Sequence, residues 1–506
     1  MVRSFFIFAF LFSSLFALGQ KSSVSVDSVD YYIQADSLQK AISFLNKSIA
    51  AKPSAQLYLD RGLIKLEVEL LDEAIMDLKQ SLLLGNTNDT TYYNIGYALF
   101  LLGEYSNSII YYDSALEINE ASIFYLLSRG DAFLELENLN LADQDYRSAL
   151  SLDPETDIAY FGLGMCHFIV ENFDSAQYYF SYAITYDPFD AEYYYQRALC
   201  KYYQGDDQGA LKDVNFAINL DELNLEAVGL RADILLDNGL YESALEDLDF
   251  VLAFDSLNME LLNTRGNILI VLEEYEEALF DFDLVLILDN QVDVAYYNRG
   301  LCFYYLDFFK DALKDFDQAI NINAQEEDYY IFRALANLGL SKKQQVFSDF
   351  DAAIDLNPIN PEVYFRRSTA YFELEMYDSA LLDLDKTFRL DPEFPGIFLM
   401  RAEVYSQLEE IDKAMKNYDL AILNDPENAE NFFKRGIFLY ETDNTDGAME
   451  DFNYAIRLDE YIPAPYTNRG LLKLELKDKE GACDDWKKAF KLGSTYAQEL
   501  LQKNCK

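Results

Sequence analysis

Apolar residues recur along most of this chain in a helical pattern that repeats every 34 residues. In the stretch 312–320 they fall at i, i+1, i+4, i+7 and i+8, which places them on one stripe of a 3.6-residue helix. A small residue stands at the same point of thirteen copies: Gly62, Gly96, Gly130, Gly164, Ala198, Ala232, Gly266, Gly300, Ala334, Ser368, Ala402, Gly436 and Gly470. The constant step of 34, without insertion or deletion, predicts a repeat architecture.

Each copy predicts two short helices joined by a turn. A second small residue lies twelve positions after the first, except in the ninth copy, which has Val346, and a large apolar residue follows four positions later. Small residues let two helix backbones approach closely, and large ones fill the remaining space. Several copies end in a proline, which has no amide donor and cannot continue a helix: Pro154, Pro188, Pro358, Pro392 and Pro426.

This unit resembles the tetratricopeptide repeat. The residues that carry the resemblance stand at that family's spacing, and in one copy they are Tyr296, Gly300, Phe303, Ala312, Phe316 and Ala319. The resemblance covers thirteen copies over residues 55–496. It implies an all-α fold, a right-handed α-solenoid of antiparallel helix pairs, in which the first helix of each pair lines a concave groove.

The two ends of the chain depart from the repeat. Residues 1–19 combine a basic start, an apolar run and a small-residue cleavage site, as a secretory signal peptide does. The alternative is a membrane anchor, but about 14 apolar residues are short for a membrane span. Residues 20–54 are interpreted as a degenerate N-terminal repeat or cap, and residues 497–506 as a C-terminal capping helix. We therefore expect a periplasmic or secreted protein without membrane insertion after signal cleavage, and no lipid anchor, because no Cys directly follows the segment.

The ninth repeat is irregular between its two helices. Residues 341–346 replace the usual turn, large residue and Ala with a polar run that ends in Val346. Because Val is bulkier than Ala at a helix contact, we expect local loosening there. A hinge and a merely degenerate repeat both remain open.

An arginine precedes the first small residue in eleven of the thirteen copies, and ten of these copies carry an Asp sixteen residues later. Two such pairs are Arg265 with Asp281 and Arg299 with Asp315. The two copies without Arg also lack the Asp and have Tyr111 and Tyr179 in its place. This joint loss predicts that Arg and Asp pair within each repeat and bridge its helices, because a guanidinium fork satisfies a carboxylate. An anion-binding ladder is the less favoured interpretation.

Groove-facing positions are unusually aromatic. In the family that this unit resembles, residues two, five, nine, twelve and thirteen of the first helix face the groove. The candidate partner-binding residues at these positions are Tyr93, Tyr97, Phe161, Phe168, Tyr195, Tyr202, Tyr203, Tyr297, Tyr304, Tyr305, Phe365 and Phe372. Part of this stripe should pack as core and part should form an exposed lining, and an exposed aromatic patch normally has a partner.

Charge narrows the class of partner. The chain has 88 acidic and 40 basic residues, a net charge of −48, so its surface repels nucleic acid and anionic lipid. A cationic protein or peptide partner fits this surface, although the charge also serves solubility. The carboxylate clamp known in the resembled family requires a groove lysine at position five, and none of the thirteen copies has one.

The sequence offers no catalytic, metal or cofactor chemistry. The single histidine, His167, occupies a position that is apolar in other copies, so we expect it to face the core. No His/Cys cluster has metal spacing and no Gly-rich phosphate loop occurs, so no cofactor is expected. The acidic turn at 443–447 lacks the spacing and final Glu of a calcium loop.

Five cysteines divide into two groups. Cys166, Cys200 and Cys302 share one repeat position, and neighbouring repeats lie too far apart for a disulfide, so we expect buried thiols. Cys483 and Cys505 lie on the last repeat and the closing helix, and we hypothesise a disulfide between them.

These observations lead to three hypotheses. The first is a non-enzymatic protein-interaction scaffold of the bacterial cell envelope, which binds a protein or peptide in an aromatic-rich groove. The second is a glycan or cell-wall binding module, because tyrosine-lined grooves also stack sugars. The third and least favoured is an accessory subunit of an enzyme complex.

Overall fold

A computed structural model describes residues 38–505, and in this range the chain is helical with no strand. The interpreted signal peptide, the first part of the N-terminal cap and the last residue lie outside the described residues. The chain divides into two compact units, Met1–Ser256 and Leu257–Lys506. The predicted all-α class and the α-solenoid of helix pairs are confirmed.

The first unit begins with a single helix, Leu38–Ala51, and continues with six helix pairs. The first helices of repeats one to six are Ala55–Glu67, Asp89–Leu101, Ile123–Glu135, Asp157–Ile169, Ala191–Tyr203 and Leu225–Asp237. The second helices are Leu71–Leu83, Tyr105–Ile118, Leu139–Leu152, Phe173–Tyr186, Asp207–Leu220 and Tyr241–Phe254.

The second unit holds repeats seven to thirteen. Their first helices are Met259–Val271, Asp293–Tyr305, Glu327–Gly339, Pro361–Glu373, Ile397–Gln407, Ala429–Glu441 and Pro463–Glu475. Their second helices are Tyr275–Leu288, Phe309–Ile322, Lys343–Leu356, Tyr377–Leu390, Ile411–Asn424, Thr445–Leu458 and Lys479–Lys491. A final helix spans Thr495–Asn504.

The two helices of a repeat meet where the small residue of the first faces the large residue of the second. A Cβ added to Gly300 would lie 2.7 Å from Cε1 of Phe316, and one added to Gly470 would lie 2.5 Å from Nε1 of Trp486. Both rings are fully buried. The small residue is therefore required by the close approach of the helices, as the spacing predicts.

A left-handed residue ends the first helix in every repeat. Three of these residues are glycines and ten are not: Glu69, Gly103, Glu137, Glu171, Gly205, Gly239, Glu273, Asp307, Ser341, Glu375, Glu409, Asp443 and Lys477. The irregular residues of repeat nine lie at this turn, yet its second helix begins in register and Val346 is fully buried. The hinge there stays a prediction.

Candidate functional site

The repeat arginines connect three helices. In repeat eight, Nε and Nη2 of Arg299 each donate to the carboxylate of Asp315 at 2.7 Å, and Nη1 donates to Asp283 at 2.6 Å. Asp315 is on the second helix of the same repeat, whereas Asp283 is on the second helix of repeat seven. The hydrogen bond to Asp315 raises the pKa of Arg299, while burial raises that of Asp315 and the guanidinium lowers it. Each such arginine is therefore engaged within the stack rather than free for a ligand.

The same two-point contact recurs in ten repeats. The pairs are Arg61–Asp77, Arg129–Asp145, Arg197–Asp213, Arg231–Asp247, Arg265–Asp281, Arg299–Asp315, Arg333–Asp349, Arg367–Asp383, Arg435–Asp451 and Arg469–Asp485. Every one of these aspartates is buried.

The contact to the preceding repeat was missed by sequence reasoning, although the sequence holds a signal for it. In ten of the eleven copies with the arginine, an acceptor stands sixteen residues before it, as with Asp283 before Arg299, whereas Arg61 has Leu45 there and donates to Asn46. In the two copies without the arginine, that position is basic instead. Lys79 lies over the ring of Tyr111 at 5.6 Å, and Arg147 lies over Tyr179 at 5.8 Å. A comparison of the thirteen copies at this one repeat position would have shown that a charge pair is replaced by a cation–π contact in two of them.

We call the residues at positions two, five, nine, twelve and thirteen of the first helices the groove face. Among the twelve candidate aromatic residues on it, Tyr203 is 58% exposed and Tyr305 is 47% exposed. The other ten are half-buried: Tyr93, Tyr97, Phe161, Phe168, Tyr195, Tyr202, Tyr297, Tyr304, Phe365 and Phe372. The groove face is therefore a packed layer of rings with a few open positions.

In the second repeat the candidate rings join the layer beneath. The ring of Tyr93 stacks on Tyr97 and Tyr125, with centroids 6.2 and 4.9 Å away, and its hydroxyl accepts a hydrogen bond from Ser128. Burial raises the pKa of Tyr93. In the fourth repeat, Phe161 lies 5.1 Å from the ring of Tyr193. These residues stabilise the stack as well as lining its surface.

Repeats four and five carry one of the two exposed candidate rings, Tyr203. Tyr203 stacks on Phe173 at 5.2 Å, and Phe168 meets the same ring edge-on. The hydroxyl of Tyr202 donates to Oδ2 of Asp237 at 2.8 Å, and that hydrogen bond raises its pKa to about 12. Burial raises the pKa of Tyr195. Rings and carboxylates thus alternate on this part of the groove face.

The second unit has its own aromatic surface around repeat eight. Tyr297 contacts the rings of Tyr329 and Phe332 at 4.9 and 5.8 Å. Tyr304 lies edge-on to Tyr305, which stacks on Tyr275 at 4.9 Å. In repeat ten, Phe365 contacts Phe394 and Phe372 contacts Tyr377. Tyr305 is the open ring in this set, and the others are held by neighbours.

Two carboxyl groups on the groove face were not singled out from the sequence. Asp131 is 7% exposed, and burial raises its pKa to about 7, although Tyr146 donates a hydrogen bond to it at 2.7 Å. Burial likewise raises the pKa of Glu192 to about 7. Asp131 stands at groove position nine and Glu192 at position two, so an acidic residue at a groove position was the available signal.

The remaining candidate residues are structural. His167 is half-buried and stacks on Tyr179 at 5.3 Å. Cys166, Cys200 and Cys302 are buried free thiols, and burial raises the pKa of each to about 12. Cys483 and Cys505 form a disulfide. Within residues 38–505 no group of three His, Cys, Asp or Glu is placed to hold a metal ion, and none of the helices described there is long and apolar enough to cross a membrane.

Comparison with protein families gives matches to one repeat type. Two family models, each described as tetratricopeptide repeat, match residues 89–122 and 395–428 and residues 127–169. The human and mouse proteins named tetratricopeptide repeat protein 16 are 27% and 28% identical over 141 and 143 residues, which is 25% of this chain in each case. The chain spans only 16% and 18% of the length of these relatives.

Solved structures resemble the fold. A tetratricopeptide repeat protein from Parabacteroides merdae is 22% identical, with a TM-score of 0.40 and coverage of 45% of this chain and 91% of its own. Yeast Tom70 is 17% identical, with a TM-score of 0.45 and coverage of 81% and 93%.

Proposed function

We propose that this chain, which is built of tetratricopeptide repeats, is a non-enzymatic scaffold that holds a basic segment of a partner protein on its groove face. The setting we propose is the bacterial cell envelope, periplasmic or secreted. That setting is supported by the signal-like residues 1–19 alone.

The proposal of a basic partner rests on the mixture of aromatic rings and carboxylates on repeats five and six. Tyr203 is exposed beside Tyr202, whose hydroxyl is held by Asp237. Glu226 and Asp233 both act electrostatically on Tyr195. Aromatic faces and carboxylates are the two surfaces that attract a Lys or Arg side chain. With a net charge of −48, the chain also attracts such a segment at long range.

The experiment is crosslinking and affinity capture from envelope extracts with the full chain. Tyr203→Ala and Tyr305→Ala remove the two exposed rings among the twelve candidate aromatic residues, one in each unit. Tyr461→Ala is the matched control, because Tyr461 is 72% exposed and lies in the turn before the first helix of repeat thirteen. We expect the groove variants to lose a defined protein that the control retains. Equal recovery by all variants would refute the proposal.

The salt dependence of capture distinguishes this proposal from glycan binding, which tyrosine surfaces also support. Capture of a basic segment should weaken steeply between 0.05 and 0.5 M salt, because exposed charges are then screened. Stacking of a neutral sugar should change little. Salt-insensitive capture of polysaccharide by the full chain would favour the glycan module.

A further inference from the structure

Repeat five contains a buried hydrogen-bond acceptor that has no donor. Gln196 is 4% exposed, and its Nε2 donates to Oε1 of Glu192 at 2.7 Å. Its other amide atom, Oε1, is buried and receives no hydrogen bond from any described residue. Glu192 and Gln196 are four residues apart on one helix and therefore share a face. An unpaired acceptor thus lies directly beside a carboxylate.

The charged groups that act on Glu192 are all negative. Burial raises the pKa of Glu192, Asp190 and Glu226 raise it further, and only the amide of Gln196 lowers it. In the part of the chain that the structure describes, no arginine or lysine forms an ion pair with Glu192 or contributes to this shift. The buried aspartates of the repeat pairs show the opposite arrangement, since each of them faces an arginine. Glu192 is therefore a largely desolvated carboxyl without a cation.

An aromatic side chain stands beside the pair. Tyr195 is half-buried, and Glu192, Glu226 and Asp233 all act on its hydroxyl electrostatically. Tyr195 belongs to the groove face, as Glu192 does, and Tyr203 on the same helix also acts on it. A cation at Glu192 would thus meet carboxylates, an amide oxygen and ring faces together.

We propose that Glu192 and Gln196 bind the ammonium group of a lysine side chain from the partner protein. The proposal rests on the groove face being the partner-binding surface. An ammonium carries three donors, which the second oxygen of Glu192 and the unpaired oxygen of Gln196 can accept, while Glu226 adds negative charge nearby. Arginine fits less well, because the arginines of this chain bind both oxygens of one carboxylate, as Arg197 binds Asp213, and one oxygen of Glu192 is already taken.

The test compares three peptides that differ at one residue. Each is a neutral peptide of glycine and serine with a central lysine, acetyl-lysine or arginine, and binding to the full chain is measured by calorimetry at 0.15 M salt. Glu192→Gln removes the charge with little change of shape. Glu222→Gln removes one charge from an exposed loop of the same unit and is the matched control. We expect Glu192→Gln to weaken the lysine peptide at least tenfold and the control to leave it unchanged.

A second variant tests the unpaired oxygen. Gln196→Leu should weaken the lysine peptide, because it removes both the unpaired oxygen and the amide that donates to Glu192. If the lysine affinity does not change, the oxygen has no role in binding and the proposal fails.

Release of protons on binding distinguishes a site at Glu192 from nonspecific electrostatic attraction, which releases none from this carboxyl. An ammonium should hold Glu192 ionised, so binding at pH 6.5 should release protons to the buffer in the wild type and not in Glu192→Gln. Asp190 and Glu226 act electrostatically on Glu192, and Glu192 acts in turn on Tyr195, on which Asp233 also acts.

Equal affinity for lysine and acetyl-lysine would overturn the lysine site. If Tyr203→Ala abolishes partner capture while Glu192→Gln does not, the scaffold function stands and this proposal fails. If Tyr203→Ala and Tyr305→Ala also retain the partner, the scaffold function itself has failed.

Discussion

Repeat eleven has lost one partner of its arginine, and restoring that partner should stabilise the protein. Nη2 of Arg401 forms an ion pair with Asp385 of the preceding repeat at 2.8 Å, but its buried Nε has no acceptor among the described residues. The reason is Asn417, which stands where ten other repeats have Asp and uses its amide on the carbonyl of Lys413. We predict that Asn417→Asp will complete the two-point contact seen at Arg435 with Asp451 in the next repeat.

The expected gain follows from the groups that change. A hydrogen bond to a charged partner contributes about 1.5–3 kcal/mol net. Against this stand the lost bond to Lys413, about 1 kcal/mol, and the cost of burying a carboxylate. Burial does raise the pKa of the equivalent Asp315 in repeat eight even with its arginine present. A net stabilisation of about 1–2 kcal/mol is therefore expected.

Hydrogen exchange followed by mass spectrometry is the appropriate assay, because a repeat array does not unfold in one step. Amides in Ile397–Gln407 and Ile411–Asn424 should exchange about 5–30 times more slowly in the variant, the factor that corresponds to 1–2 kcal/mol. The urea midpoint of the transition that includes repeat eleven should rise in parallel.

A double-mutant cycle isolates the pair. In an Arg401→Gln background, Asn417→Asp should destabilise rather than stabilise, because the new carboxylate is then buried without a cation. The opposite change, Asp451→Asn in repeat twelve, should speed exchange around Arg435. If Asn417→Asp gives no protection, or gives the same gain without Arg401, then the two-point contact does not stabilise the repeat and the reasoning is wrong.

Three further predictions concern other parts of the chain. Burial raises the pKa of Asp131 from its ordinary 3.8 to about 7, so the folded state binds the proton of this carboxyl more tightly than the unfolded state does. The free energy of unfolding should therefore fall as pH rises between these values, by up to about 1.4 kcal/mol per pH unit. Asp131→Asn should flatten this pH dependence in urea titrations. Cys483 and Cys505 are separated by 22 residues, and reducing their disulfide should lower the stability of the last repeat by about 3 kcal/mol. Hydrogen exchange of the amides in that repeat measures this loss. In Cys483→Ser the same exchange rates should not change when reductant is added. Gly470→Ala should destabilise by about 1–3 kcal/mol because its Cβ meets the buried indole, whereas Gly229→Ala, with nothing within 4 Å, should stabilise by up to about 1 kcal/mol.

The setting of the protein rests on the sequence, and one substitution can test it. Residues 1–19 lie outside the described residues, so the signal peptide stays a prediction. Replacing Phe8 with Arg interrupts the apolar run, which should abolish export in a cell-fractionation assay. The conservative change Phe8→Leu should leave export intact. Export of both variants would argue against a signal peptide.

The sequence by itself determined the repeat and its internal code. The sequence shows which surfaces of a helix pair meet, through the 34-residue step, the small residue at Gly300 and the large residue at Phe316. In a helix of known period, the spacing between two residues determines which face each of them occupies. The joint loss of Arg and Asp in the two tyrosine copies likewise pointed to a contact within the repeat. Each of these signals is local; the small residue recurs in thirteen copies and the Arg–Asp pair in ten.

Only the tertiary structure shows the contacts between neighbouring repeats and the polar groups that those contacts leave without a partner. Arg299 reaches back to Asp283, a contact that the spacing within one repeat does not show and that only a comparison across the copies could have suggested. The unpaired Oε1 of Gln196 and the packing of Tyr93 against Tyr125 likewise depend on which side chains the adjoining repeat supplies. Those are properties of the packed stack, and a periodic pattern cannot specify them.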